Sequence, residues 1–180
     1  MQIKIGDVEL ECVRGDITKQ EGFDAVVNAA NARLAPGGGV AGAIHRAAGP
    51  GLYEECKPRA PIKPGDAVIT GGYNLPNRYV IHCLGPFLGI DKPEEEVLAR
   101  CYENALKVAE RHQVKSIAFP SISTGYFGYP VAEAAAVALK TVIKKIPELR
   151  FVRRIRFVLY SEADFAVYQT ALVRAAKRLA

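Results

Sequence analysis

Apolar positions along this 180-residue chain follow two periods that alternate from end to end. Residues 2–13 alternate loosely about Gly6-Asp7 and predict one or two strands. Residues 24–28, DAVVN, are a short apolar run suited to a buried strand. From Gly39 the spacing turns helical, with Val40, Ile44 and Ala47-Ala48 on one side, and LYEEC after Pro50 predicts a second short helix. Strands are expected at 66–71 and 78–84, joined by the turn-rich YNLPN. Pro93 then opens a helix, because proline loses nothing in a first turn and Glu94 to Glu96 complement the positive end of the dipole. Its inward stripe is Val97, Cys101, Ala105, Val108 and His112.

A strand at 116–119 (SIAF) leads into the loop PSISTGYFGYP. A helix from Pro130 follows, with Ala135, Leu139, Val142 and Ile146 inward. Residues 153–160 alternate Ile155, Phe157 and Leu159 against Arg154, Arg156 and Val158, as a strand does. The last helix starts at Ser161, with Asp164 three residues on in a capping-box-like arrangement. Phe165, Tyr168, Leu172 and Ala175 or Ala176 mark its buried side. Strands alternating with helices predict an α/β fold, a mostly parallel sheet between helix layers. Ligands on such folds sit outside the C-terminal ends of the strands. Three loops leave strands in that sense, after Asn28, after Phe119 and after Tyr160. No repeat or linker divides the chain, so one domain over residues 1–180 is expected.

Composition changes this picture little. Hydrophobic residues at 49% and charged residues at 24% are ordinary for a soluble globular protein. No apolar run approaches the roughly 20 residues of a membrane helix, and MQIKIGDVELECVRGD has no apolar signal core. A cytoplasmic protein without a membrane partner is the expectation. Cys12, Cys56, Cys83 and Cys101 are widely spaced with no C-x-x-C pair, a pattern of buried reduced thiols rather than a zinc or disulfide framework, and no metal set is visible. The net charge of +5 favours anionic partners softly. The basic clusters at 140–145 and 150–156 lack interleaved aromatics and read as solvated faces, so nucleic acid is not an expected partner.

Candidate chemistry gathers in NAANARLAPGGGVAGAIHRAAGPG, residues 28–51. Gly37, Gly39 and Gly42 fit G-x-G-x-x-G, the dinucleotide fingerprint. That fingerprint wants its first glycine directly after the strand and an acidic residue about 20 positions on. Here Ala29 to Pro36 intervene, and the later positions are Pro61, Ile62 and Lys63. Both demands fail, and nicotinamide chemistry is set aside. The consecutive glycines still let backbone N–H groups approach an anion at a helix N-terminus. A second such cradle is SISTGYFGYP, where Ser121, Ser123 and Thr124 offer hydroxyls and Gly125 and Gly128 allow tight turning. One diphosphate held from two sides is one reading of the pair, and two separate tight turns is the other.

With those loops side by side the chain resembles a macro domain, the ADP-ribose-binding α/β/α module. The matching stretches are GDIT at 15–18, VVNAAN at 26–31, GGGVAGAIH at 37–45 and SISTGYFGYP at 121–130. The resemblance implies a three-layer fold with a mixed, mostly parallel sheet and no cofactor. It implies ADP-ribose, O-acetyl-ADP-ribose or mono-ADP-ribosylated proteins as partners. Asp16 resembles the carboxylate that accepts from the adenine amino group, with the Ile17 backbone along the same base and Tyr160 stacked on it. Gly38, Gly39 and Val40, with Ser123, Thr124, Gly125, Tyr126 and Phe127, resemble the cradles for distal ribose and diphosphate. Phe127 would wall the ribose, and Tyr126 would lie beside it or face solvent. Asn31 resembles the amide that holds the distal ribose hydroxyls and stands as the catalytic candidate, while Asn28 supports the loop from within.

Many hydrolytic members carry an aspartate where this chain has Ala41. Its absence puts acid/base help in doubt but not binding, and other members with GGGVAGA resemble ester hydrolases. Two functions therefore remain open, a hydrolase of ADP-ribosyl esters and a non-catalytic reader of ADP-ribose. His45, one helical turn past Ala41, has a packed or surface position as its plainer reading.

Overall fold

A left-handed glycine, Gly6 at φ +57°, reverses the chain between β1 (Gln2–Ile5) and β2 (Val8–Arg14), so the first alternating stretch becomes an antiparallel hairpin. The computed structural model describes residues 1–180. The remaining strands are β3 (Ala25–Ala29), β4 (Ala67–Gly71), β5 (Tyr79–Cys83), β6 (Ser116–Phe119) and β7 (Arg154–Leu159). They join in one sheet in the order β1-β2-β7-β6-β3-β5-β4. The five inner strands run parallel, and β1 and β4 close the two edges antiparallel. The fold is thus α/β with a mixed, mostly parallel sheet, as expected.

Five helices cover both faces: α1 (Gly39–Ala48), α2 (Pro50–Cys56), α3 (Glu94–Arg111), α4 (Val131–Lys145) and α5 (Glu162–Leu179). Inner parallel strands must be apolar on both faces, and the β7 alternation shows how. Ile155, Phe157 and Leu159 enter the larger core under α3, α4 and α5, while Val158 enters a second core under α1 and α2. In the larger core Phe157 stacks on Phe119 at 5.6 Å, with Tyr102 and Tyr168 against the pair. Each such side chain contributes about 1.5–3 kcal/mol by burial.

Some details depart from expectation. Pro93 and Pro130 sit one residue before their helices, at the cap. His112 is not in the α3 stripe. The helix ends at Arg111, and the exposed ring of His112 turns back to the Val108 carbonyl and lies edge-on to Tyr79. Arg154 and Arg156 are half-buried rather than solvated. Arg156 donates to Glu11 at 2.8 Å, and both guanidinium groups lie over the Phe23 ring at 4.6 and 4.4 Å. This spends two of the basic charges on the sheet itself. The four cysteines are buried free thiols. Burial pushes Cys12 and Cys101 up to about 12 and Cys56 to about 11, so none is a ready nucleophile. No helix is long and apolar enough to cross a membrane.

Candidate functional site

β3 and β6 are neighbours, but they pair only at Ala25–Ile117 and Val26–Ala118. Beyond Ala118 β3 continues beside β5 as far as Ala29–Cys83. The chain leaves β3 toward β5 and leaves β6 toward β7, in opposite directions. This is a topological switch point, where an open α/β sheet forms its crevice. The two glycine-bearing loops leave these same two strand ends and so flank one cleft.

The first loop is set by Asn31. Its Nδ2 donates to the Ala35 carbonyl at 2.8 Å and its Oδ1 accepts from the Ala35 N–H at 3.0 Å. This clasp turns the chain through Leu34, buried at φ +55°. Gly37 then lies against α1. A Cβ on Gly42 would stand 2.2 Å from the Gly37 carbonyl, so the helix approaches the loop only because residue 42 is glycine. Gly38 and Gly39 have a different reason. A Cβ on either would meet nothing in the chain. The backbone N–H groups from Gly37 to Ala41 find no acceptor in the protein, and they point from the positive end of α1. Ala41 is buried beneath that end and carries no carboxylate.

The second loop departs from expectation in its hydroxyls. Ser121 and Thr124 pair with each other at 2.7 Å, and Tyr168 donates to Ser121 at 3.1 Å. Ser123, at φ +68°, turns its hydroxyl inward against Gly85, where a Cβ would come within 2.1 Å of it. Ser121 and Thr124 brace the loop through these bonds, and the Ser123 hydroxyl is buried without a partner. The amides of Thr124, Gly125, Tyr126 and Phe127 have no acceptor in the chain. A Cβ on Gly125 meets nothing, as at Gly38. Phe127 is half-buried, packed on Phe87 at 5.1 Å, and Tyr126 is 90% exposed.

The far end of the cleft joins Asp16 to Tyr160. Arg14 pairs with Leu159, and the Gly15 N–H donates to the Leu159 carbonyl at 3.0 Å, so the two loops lie together. Asp16 caps a 3-10 turn at Ile17–Lys19 through Oδ1, which accepts from the Thr18 hydroxyl at 2.7 Å and the Thr18 N–H at 2.9 Å. Those bonds hold its carboxyl below the usual range, keeping it ionised, and leave Oδ2 without a partner in the chain. Ile17 is buried. Tyr160 is 83% exposed and is no core tyrosine.

One constellation has no counterpart in the sequence reading. Asn28 does not support the loop but donates from β3 to His82 Nδ1 on β5 at 3.1 Å. His82 Nε2 lies 2.9 Å from the Thr70 hydroxyl, and Cys56 is 3.8 Å away. His45 packs above, 6.5 Å from His82 between ring centres, buried with both ring nitrogens unpartnered; Asn28 Oδ1 is likewise unpartnered. Burial lowers the His45 pKa and brings His82 to about 3, with His45 and Arg59 adding to the latter. In RYVIHCL the histidine sits among strand apolars with nothing to mark it.

The macro domain family profile matches residues 27–138, which contain both glycine loops. A macro domain-containing protein of Chlorobaculum tepidum is 48% identical over 92% of this chain and 96% of its own length. An O-acetyl-ADP-ribose deacetylase of Klebsiella pneumoniae is 45% identical over 92% and 97%. The Oceanobacillus iheyensis macrodomain, solved with ADP, superposes at a TM-score of 0.94 with 44% identity, covering 99% of this chain and 97% of that one. With the switch-point cleft and its paired glycine loops, these likenesses establish that the chain belongs to the macro domain family.

Proposed function

We propose that the cleft binds ADP-ribose and that the protein hydrolyses ADP-ribosyl esters, either O-acetyl-ADP-ribose or mono-ADP-ribose carried on Asp and Glu side chains. Adenine lies against Tyr160 and Ile17 and donates its amino group to the free Oδ2 of Asp16. The diphosphate lies between the amides of Gly38 to Val40 and those of Ser123 to Phe127. The distal ribose rests on Phe127 within reach of Asn31. The observation that carries this reading is the opposed pair of acceptor-free amide runs, with Gly38 and Gly125 both facing open space. Packing within the chain gives no reason for glycine at either place.

Where the acyl group sits on the anomeric oxygen, the step needs little acid help because its leaving group is a carboxylate. Water attacks the anomeric carbon, the bond to the acyl oxygen breaks, and the carboxylate departs with that electron pair. Where it sits on another ribose hydroxyl, water attacks the acyl carbon instead, and the ribose oxygen departs with the electron pair of the broken bond and takes up a proton. The water's proton passes to a diphosphate oxygen or to solvent. Asn31, clasped on Ala35, has one amide hydrogen left to orient the ribose or the water. Without a carboxylate at Ala41 a general base is missing, which costs about 10²- to 10⁴-fold, so turnover is slow. That same alanine favours the second reading, a reader that binds without turnover.

Calorimetry with ADP-ribose is expected to show binding tighter than with AMP, and absence of heat and of thermal stabilisation would sink both readings. Incubation with O-acetyl-ADP-ribose at high protein concentration separates them. Acetate release that falls in Asn31→Ala, with affinity largely kept, marks the hydrolase. No release leaves the reader.

A further inference from the structure

The loop after β5, residues 85–93, meets the second cleft loop at Gly85 and Phe87. Beyond those contacts it displays Leu88 at 41% and Ile90 at 70% exposure. Surface apolar residues usually stand singly; Leu88 and Ile90 stand two apart in one turn that is bonded to the 126–128 stretch. The Leu88 N–H donates to the Phe127 carbonyl at 2.9 Å, a side chain at Gly128 would meet Leu88 at 3.9 Å, and Phe87 lies edge-on to Tyr126 at 5.6 Å. The loop is also braced. The N–H groups of Ile90 and Asp91 both donate to the Phe87 carbonyl at 3.0 Å. Asp91 accepts from the Phe87 N–H at 2.8 Å and Glu94 from the Gly89 N–H at 3.0 Å. Ile90 is thus held in water by structure that does not need it there.

Its position supplies a reason. Along the C-terminal edge of the sheet, β2 and β7 stand at one side, β6 and β3 in the middle and β5 beyond them. An ADP-ribose with its adenine at Asp16 and Tyr160 brings its distal ribose to the β3/β5 side, under the 85–93 loop. Whatever that ribose carries leaves the cleft past Tyr126, Leu88 and Ile90. An acetyl group is too small to span them, whereas a polypeptide must cross them.

We propose that Leu88, Ile90 and Tyr126 form a lip that receives the polypeptide bearing the ADP-ribosyl ester, taking an apolar side chain next to the modified Asp or Glu. This rests on the ADP-ribose reading of the cleft and makes modified proteins, rather than small acyl esters, its preferred substrate class.

The test is calorimetry with three probes: free ADP-ribose, and two peptides carrying ADP-ribose on glutamate through a non-hydrolysable linkage. One peptide has leucine on each side of the glutamate and the other has serine. The leucine peptide is expected to bind about tenfold more tightly, the return for one apolar side chain partly buried. The double variant Leu88→Ser, Ile90→Ser is expected to lose that margin while keeping its affinity for ADP-ribose. Equal affinity for the two peptides, or a margin that survives in the variant, overturns the proposal. So does a fall in ADP-ribose affinity in the variant, which would place the lip inside the cleft. A dimer dissolved by the same substitutions without change in the peptide margin assigns the lip to a second copy and overturns it as well. If free ADP-ribose itself does not bind, the cleft reading fails first and the lip falls with it.

Discussion

Of the polar atoms that lack partners within this chain, two groups lie close together in opposite surroundings. The amides of Gly37 to Ala41 and of Thr124 to Phe127 find no acceptor in the chain, along stretches where a Cβ on Gly38, Gly39 or Gly125 would meet only open space. Asn28 Oδ1 and both ring nitrogens of His45 are sealed between α1 and the sheet, next to His82. An unpaired N–H that water reaches costs little and stays available to an anion. A buried polar atom without a bond costs about 1–3 kcal/mol. The two sets lie within one helix of each other, since α1 presents its N-terminal amides to the cleft and His45 to the interior. Openness, more than chemical type, separates a binding surface from a weakness in the fold.

The sealed group sharpens this contrast through pH, with the largest expected effect. Unfolded, His82 has its ordinary value of 6.5; folded, burial first and then His45 and Arg59 bring it to about 3. Between those values the unfolded chain binds a proton that the native chain refuses, so stability falls as pH falls. The slope for one group is about 1.4 kcal/mol per pH unit, or about 3 kcal/mol lost from pH 7 to pH 4. His45, also lowered by burial, acts with the same sign. Urea midpoints followed from pH 7 to pH 4 are expected to fall steeply in the wild type and less steeply in His82→Gln, which keeps hydrogen-bonding groups but does not titrate. Parallel slopes would break the comparison. In the cleft Asp16 is held below its ordinary 3.8 by its bonds to Thr18 and stays ionised from pH 7 to pH 4, so ADP-ribose affinity is expected to change little until the fold itself gives way.

Two glycines four residues apart, Gly42 and Gly38, sharpen it next. At Gly42 a methyl group meets the Gly37 carbonyl at 2.2 Å, backbone against backbone. Gly42→Ala is expected to destabilise the protein by about 1–3 kcal/mol, read as a lowered melting temperature. At Gly38 the backbone is extended, φ −88° and ψ −177°, and a methyl group meets no protein atom. Gly38→Ala is therefore expected to melt as the wild type does, while ADP-ribose affinity falls at least tenfold, about 1.4 kcal/mol, because the methyl occupies ligand space. If both variants melt alike and bind alike, the division between packing glycines and ligand glycines is wrong.

Much of this was legible from the residues alone. The period of 2 in the strands, the period of 3.6 in the helices and the turn chemistry between them locate the last five strands and all five α-helices, leave one or two strands open at 2–13, and miss the 3-10 turn that Asp16 caps at Ile17–Lys19, while the glycine stretches mark both cleft loops. What was hidden depended on partners distant in sequence. SIST reads as three hydroxyls free for a ligand, yet Ser121 bonds both to Thr124 and to Tyr168, which is 47 residues away. His82 became visible only when β5 was paired beside β3, 54 residues from Asn28, and β4 brought Thr70 against its other face. Arg156 read as a surface charge until β7 was set beside Glu11, 145 residues away. Local pattern locates elements and backbone cradles, which are local objects. It does not determine which polar side chains will neutralise one another across the sheet.

The smallest expected effect belongs to Tyr160, at the adenine end. The ring stands just past β7 and is 83% exposed, so the native state gains almost nothing from it. Tyr160→Ala is expected to leave the urea midpoint unchanged. Against a bound adenine the ring has a flat partner, and aromatic contacts of that kind are worth about 0.5–1.5 kcal/mol. Loss of the ring is thus expected to weaken ADP-ribose binding several-fold, while Tyr160→Phe, which keeps the face and removes only the hydroxyl, is expected to bind as the wild type does. Distal ribose phosphate, which lacks adenine, provides the control, since its affinity is expected to be the same in all three proteins. A Tyr160→Ala variant that weakens both ligands equally would mean the ring acts on the loop rather than on the base, and the adenine would have to be sought elsewhere along the cleft.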